Sequence, residues 1–213
     1  MQNSRPPIVV ILGHVDHGKT TLLDAIREAD VAAHEYGGIT QKIGAFQADG
    51  ITFIDTPGHE AFSQMRSRSA SVADIAILVV AANDSVMPQT AESIKIIKEA
   101  NIPYIIAINK VDILEANVDK VIQDLLRHEV LLENYGGDVP FIKISAKKKE
   151  GIKELLSLIS LVAEVNEIKA DPEGPLEFFV IESQMDKSRG PIATLVIRNG
   201  TLKVGQEIEI DGE

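Results

Sequence analysis

The sequence has no cysteine and no tryptophan, and only 4% of its 213 residues are aromatic. Without cysteine there is no disulfide, no thiol nucleophile and no thiolate metal site, which fits a reducing cytoplasm. So few rings leave little from which to build a base-stacking platform for single-stranded nucleic acid. Basic residues are also scarce, 21 against 32 acidic, giving a net charge of −11. Diffuse attraction to a phosphate backbone is therefore excluded, and any contact with RNA has to be local. No apolar run approaches the ~20 residues that span a bilayer, and residues 1–7 do not read as a signal peptide, so no membrane partner is expected. A chain that is 45% hydrophobic and 25% charged has the material for one full domain and part of another.

What is present is organised around Gly13-His14-Val15-Asp16-His17-Gly18-Lys19-Thr20, which matches G-x4-G-K-[ST]. Residues 8–12 before it are all apolar and mostly β-branched, as in a strand buried on both faces. Leu22, Leu23, Ile26 and Ala29 after it recur at helical spacing, so a helix is predicted from about Lys19. Strand, glycine loop and helix are the context in which backbone N–H groups converge on phosphate oxygens at a helix start. Gly13, His14, Val15, Asp16, His17, Gly18, Lys19, Thr20 and Thr21 are the expected phosphate-side residues, with Lys19 neutralising the β- and γ-phosphates and the Thr20 hydroxyl ligating Mg²⁺.

Downstream, strands and helices alternate. Residues 42–47 and 51–54 read as a hairpin, and 75–81, 104–108 and 141–145 as further strands. Helices are expected over 61–73, 89–100, 118–131 and 152–168, the first of them Ser- and Arg-rich and so weakly packed and mobile. The expected fold is α/β, a mostly parallel sheet with helices on both faces. The last helix carries two apolar stripes, one of them Leu158, Leu161, Val165 and Ile168, where a surface helix needs only one. After a linker at 170–175, residues 176–183, 192–198 and 207–210 read as strands, too few to close a barrel. The expected organisation is an N-terminal tail over 1–7, a nucleotide-binding domain over 8–169, the linker, and a truncated β-barrel domain over 176–213, in a chain that is a fragment.

Three further segments carry chemistry. Asp55-Thr56-Pro57-Gly58 ends a strand, where Asp55 can reach Mg²⁺ and the Gly58 N–H can approach a γ-phosphate. Asn109-Lys110-Val111-Asp112 ends another. An aspartate accepting two hydrogen bonds suits guanine N1–H and its N2 amine, which adenine cannot match, and this sets an ATPase aside. Lys110 can lie over the base and Asn109 can tie loops together. Ser145-Ala146-Lys147 follows the next strand and can offer a backbone N–H to guanine O6. Thr40, in the loop after the first helix, can complete a Mg²⁺ shell while the γ-phosphate is present. His59 follows the γ-phosphate loop and can orient an attacking water; a zinc site shared with His14 and His17 is the alternative. Asp16 beside phosphates calls for an intervening cation, a monovalent ion besides Mg²⁺. Val15 and Ile39 are apolar residues in polar loops; they either pack or flank His59 and hold it back until a partner moves them.

Taken together, these segments resemble the five G-motifs of the translational GTPases. Gly37-Gly38-Ile39-Thr40-Gln41-Lys42-Ile43-Gly44-Ala45-Phe46, Asp55-Thr56-Pro57-Gly58-His59-Glu60-Ala61-Phe62 and Val86-Met87-Pro88-Gln89-Thr90 resemble, within them, the bacterial initiation factor 2 family. The resemblance continues through 190–194 and 200–205, which look like the start of that family's second domain. It implies GTP and GDP as ligands, with Mg²⁺. His59 matches a catalytic histidine, Val15 and Ile39 a hydrophobic gate, and Asp16 a monovalent-cation aspartate. It also implies work on both ribosomal subunits with local contact to ribosomal RNA, and initiator tRNA held by parts outside this chain. In the alternative reading, GTP binding orders ribosome-docking surfaces and hydrolysis is incidental. The chain departs from the family pattern at Asn83-Asp84-Ser85, where Asp-Asp-Gly is usual, and at Lys148-Lys149, where Thr-Gly is usual.

Overall fold

A computed structural model describes residues 3–27, 44–56, 63–186, 188 and 190–209. Among them the chain divides into two compact units, Pro6–Asn166 and a second combining Met1–Arg5 with Glu167–Glu213.

The larger unit is built on a six-stranded sheet. Numbered along the chain, β1 is Asn3–Ser4, β2 Ile8–Gly13, β3 Gly44–Ala48, β4 Ile51–Asp55, β5 Ile75–Ala81, β6 Tyr104–Asn109 and β7 Phe141–Lys143. The strand order in this sheet is β3-β4-β2-β5-β6-β7. Only β3 runs antiparallel to its neighbour, through the hairpin expected from sequence. Its Phe46 stacks on Phe53 of β4 with ring centroids 5.4 Å apart. Strands β2 and β5 are buried at every position, which is why their sequences carry no two-residue alternation. Strand β2 lies between β4 and β5, so the loop leaving its carboxyl end opens into the crevice where an open α/β sheet binds ligands.

The helices are α1 Lys19–Arg27, α2 Ser63–Val72, α3 Pro88–Ala100, α4 Val118–Arg127 and α5 Ile152–Val165. Helix α2 corrects the expectation of weak packing. Its Arg66 is fully buried and donates from Nη2 to Glu92 Oε2 of α3 at 2.6 Å, with Ser69, Ala70 and Val72 buried alongside. The paired carboxylate makes a buried guanidinium tolerable. Helix α4 stops at Arg127, four residues early, because Glu129 takes a left-handed backbone at φ 59°. On α5, Ile152, Leu155 and Ile159 are buried, while Leu161 and Val165 of the second stripe are 56% and 73% exposed.

In the smaller unit, β8 is Lys169–Ala170, β9 Glu177–Asp186 and β10 Gly190–Asn199. Strands β9 and β10 form an antiparallel hairpin, broken in register at Thr194/Leu195 and Ile197/Asn199. Residues 207–209, expected as a strand, form none. Asn3 and Ser4 pair antiparallel with Ala170 and Lys169, so residues read as tail form a short ladder with the first residue of the expected linker and the last of the expected domain. Asn199 Oδ1 accepts from the Asp171 N–H at 2.8 Å and its Nδ2 donates to Pro175 O at 2.8 Å, fixing the turn into Gly200.

Candidate nucleotide-binding site

The phosphate-type loop leaves β2 at Gly13, makes a 3-10 turn over Val15–His17 and enters α1 at Lys19. Two glycines are required by space. A Cβ on Gly13, whose φ is 140°, would lie 2.4 Å from Val79 O, and one on Gly18 would lie 2.5 Å from Asn109 Nδ2. Lys19 is 5% exposed, and its ammonium donates to Gly13 O at 3.1 Å and His14 O at 2.7 Å. Burial pulls its pKa down to about 8, against an opposing pull from Asp55. Thr20 is half-buried in the first turn of α1, and Asp16 and Thr21 face solvent. Asp55 closes β4, nearly buried, and Thr56 after it donates its hydroxyl to Ile11 O of β2 at 2.7 Å.

His17 is fully buried, its Nδ1–H donating to Val79 O of β5 at 3.1 Å. Burial pushes its pKa down to about 4, with His14 and Lys19 pushing the same way and Asp84 opposing. Its ring centroid lies 5.1 Å from that of His14, and His14 Nδ1 and His17 Nε2 are buried without a hydrogen-bond partner. Because the unfolded state takes up this proton near pH 6.5 and the folded state only near 4, folding stability falls as pH drops through that window. Two and a half pK units correspond to about 3 kcal/mol. Urea unfolding of wild type and His17→Asn at several pH values checks this: wild type should lose about 3 kcal/mol more between pH 7 and pH 4.

The loops at the other end of the crevice are tied to this one through a single side chain. Asn109, at the end of β6, donates from Nδ2 to His17 O at 2.9 Å and accepts at Oδ1 from the Ala146 N–H at 3.0 Å. Asp112 accepts at Oδ1 from the Ser145 hydroxyl at 2.8 Å, and Lys148 Nζ lies 3.9 Å from Oδ2. The Ser145 hydroxyl, followed by Lys148 and Lys147, holds the Asp112 carboxyl below its ordinary range. Lys110 adopts φ 61° with its ammonium 3.9 Å from Asp84, and Lys147 is exposed. Thus Gly13 to Thr20, Asp55, Asn109, Asp112, Ser145 and Ala146 are gathered at the carboxyl edge of one sheet. Ile39, Thr40, Gly58 and His59 lie outside the described residues.

The arrangement fits a nucleotide. One end offers a buried ammonium beside a glycine cradle, and the other a carboxylate beside the Ser145–Ala146 loop, which Asn109 ties to that cradle. A magnesium ion shared with phosphates needs only one or two protein oxygens, and Thr20 and Asp55 are the residues that could hold it. Among the described residues, no group of three or more His, Cys, Asp or Glu stands ready to hold a metal by itself.

Two features escaped the sequence reading. Ser85 and Lys149, standing where the resembled family usually has glycine, both hold left-handed backbone, with φ 67° and 59°. Ser85 is held there by its hydroxyl donating to Asp124 Oδ2 at 2.7 Å. Gln89 also reaches the phosphate-type loop, accepting the Val15 N–H at Oε1 from 3.1 Å. Its signal was the Val86–Thr90 motif itself, whose role no local pattern states.

Comparison with known proteins agrees with this geometry. Residues 30–164 match the family described as the elongation factor Tu GTP binding domain, and 175–212 that described as elongation factor G domain 2. The chain is 60% identical to translation initiation factor IF-2 of Halothermothrix orenii over 96% of its length, and 57% identical to that of Desulforamulus reducens over 97%. It spans only 30% and 21% of those proteins. Among solved structures, GDP-bound aIF5B from Aeropyrum pernix superposes with a TM-score of 0.69 at 35% identity, over 93% of this chain and 42% of that one. With most of its length matched and the loops of the match assembled at one sheet edge, the chain belongs to the elongation factor Tu GTP-binding domain family.

Proposed function

We propose that this chain is the GTP-hydrolysing switch of a translation initiation factor that places initiator tRNA and promotes ribosomal subunit joining in the cytoplasm. The observation carrying the nucleotide part is the Asn109 bridge, which brings a phosphate-type loop and a guanine-type loop to a single crevice. Similarity to the IF-2 proteins supports the initiation part. Lys19 and the amides of residues 13–21 hold the phosphates, Asp112 reads guanine N1–H and N2, Lys110 covers the base, and the Ala146 region meets O6, with Ser145 and Lys147 at its flanks. Thr20, Thr40 and Asp55 would hold Mg²⁺, which would supply positive charge to the phosphates, and Asp16 would hold a monovalent cation. The Gly58 N–H meets the γ-phosphate, His59 orients the attacking water, and Val15 and Ile39 keep it aside until the ribosome, through both subunits and local ribosomal RNA contact, repositions it. Initiator tRNA binds elsewhere in the longer protein.

Unstimulated turnover of such a site runs at roughly 10⁻⁴ to 10⁻² s⁻¹. In the full-length protein, His59→Ala should lower ribosome-stimulated turnover by roughly 10²- to 10⁴-fold and leave GDP affinity within about twofold. Stimulated turnover that survives the substitution removes His59 from the mechanism.

A further inference from the structure

The segment Val86-Met87-Pro88-Gln89-Thr90 lies between β5 and the body of α3. It opens α3, with proline in the first turn where a missing N–H costs nothing. The Met87 N–H donates to Thr90 Oγ1 at 3.3 Å, the Thr90 N–H returns to Met87 O at 2.9 Å, and Thr90 is fully buried. The Ser93 hydroxyl donates to Gln89 O at 2.7 Å, closing the next turn. Gln89 is thereby fixed at its backbone. One turn on, Glu92 holds buried Arg66 of α2, so the face of α3 that carries Gln89 is anchored against a second helix.

What Gln89 holds is specific. Its Oε1 accepts the N–H of Val15. The carbonyl of the same peptide unit, His14 O, accepts from the Lys19 ammonium at 2.7 Å. A peptide is planar, so its N–H and C=O point in opposite directions and turn together. The His14–Val15 peptide is therefore pinned at both poles, by Gln89 on the N–H side and by Lys19, with the His17 N–H at 3.3 Å, on the carbonyl side. Were Gln89 to lose its acceptor, the Val15 N–H would seek another partner, and rotating toward one would carry the carbonyl away from Lys19.

We propose that Gln89 is a positioning residue for phosphate binding: through the His14–Val15 peptide it sets where the Lys19 ammonium stands. Gln89 touches no ligand in this role. It fixes the plane on which the lysine rests, and α3, braced by Glu92 and Arg66, gives that plane a rigid backing. This rests on the nucleotide reading above.

The test compares wild type with Gln89→Met, which keeps side-chain length and removes the acceptor. Lys19 serves the β- and γ-phosphates, so a fault in its placement has to appear with GDP and be absent with GMP. Titration of the whole chain with each, by competition against a fluorescent GDP, should show GDP about tenfold weaker in the variant, as expected of one mis-set charge-assisted contact, and GMP within about twofold. The Val15 amide resonance should shift and its hydrogen exchange accelerate, with Tm within about 2 °C of wild type. Equal losses for GDP and GMP mean general loosening and overturn the proposal, as does GDP affinity within twofold of wild type. If wild type itself binds neither nucleotide, the functional reading fails first; if it binds both and the variant matches it, only the role of Gln89 fails.

Discussion

Asp112→Asn should turn a guanine-selective site into one that prefers xanthine. In the proposed role the carboxylate accepts from two adjacent donors on guanine. An amide there presents one acceptor and one donor, so it opposes the N2 amine and welcomes the oxygen that xanthine carries instead. Sites that read a polar pair in this way reject the mismatched ligand by roughly 10⁴-fold, because buried groups are left without partners. GTP affinity should therefore fall by about three orders of magnitude and XTP affinity rise by a comparable factor. The surroundings of Asp112 favour a clean exchange: Ser145 donates to Oδ1, and an Asn oxygen accepts that bond equally well. Competitive binding of GTP, XTP and ATP to both proteins decides it. Retained GTP selectivity in Asp112→Asn would remove the residue from base reading.

Lys19→Ala should abolish useful nucleotide binding while leaving the fold standing. The ammonium is almost wholly buried, and a buried charge facing phosphates is worth a loss of roughly 10²- to 10³-fold in affinity when truncated. The same burial predicts a pH dependence. With its pKa lowered to about 8, Lys19 begins to lose its proton just above neutrality in the free protein. Phosphate oxygens beside it favour the charged form and raise that pKa, so binding at pH 8 takes up a proton and affinity declines as pH rises further. The stability of the free protein moves the other way. Between pH 8 and the ordinary lysine value the unfolded chain holds more protons, so the folded state gains as pH rises. Calorimetric titration of the wild type with GDP in buffers of different ionisation heat should show proton uptake at pH 8 and little at pH 6.5, and Lys19→Ala should show no resolvable binding heat.

Much of this site was legible in the sequence because its parts are local. Five apolar residues before a glycine loop, and a helical stripe after it, specify strand, turn and helix whatever surrounds them. The tetrapeptide at Asn109 could be placed because β6 ends there. Longer-range features were not legible. A Ser/Arg-rich helix reads as solvated, and nothing near Arg66 announces that Glu92, twenty-six residues on, neutralises it in the interior. Residues 130 and 131 continue an apolar pattern past α4, but the backbone has already turned left-handed at Glu129. Glu207-Ile208-Glu209-Ile210 alternates as strands do, yet alternation alone supplies no neighbour to pair with, and 207–209 form no ladder. Conversely Asn3 and Ser4 have no apolar pattern and pair through backbone groups alone. Gln89 belongs to the same class: its partner is the backbone amide of Val15, seventy-four positions away, and an amide leaves no trace in composition.

Asn109 has a kinetic corollary. Because one carboxamide grips both the phosphate loop and the turn after β7, neither can swing outward without tugging on its counterpart. A departing ligand therefore has no stable resting point with one end loose and the other seated, and its escape should follow a single exponential. Fragments of it, guanosine or pyrophosphate alone, should bind far more weakly than their sum suggests.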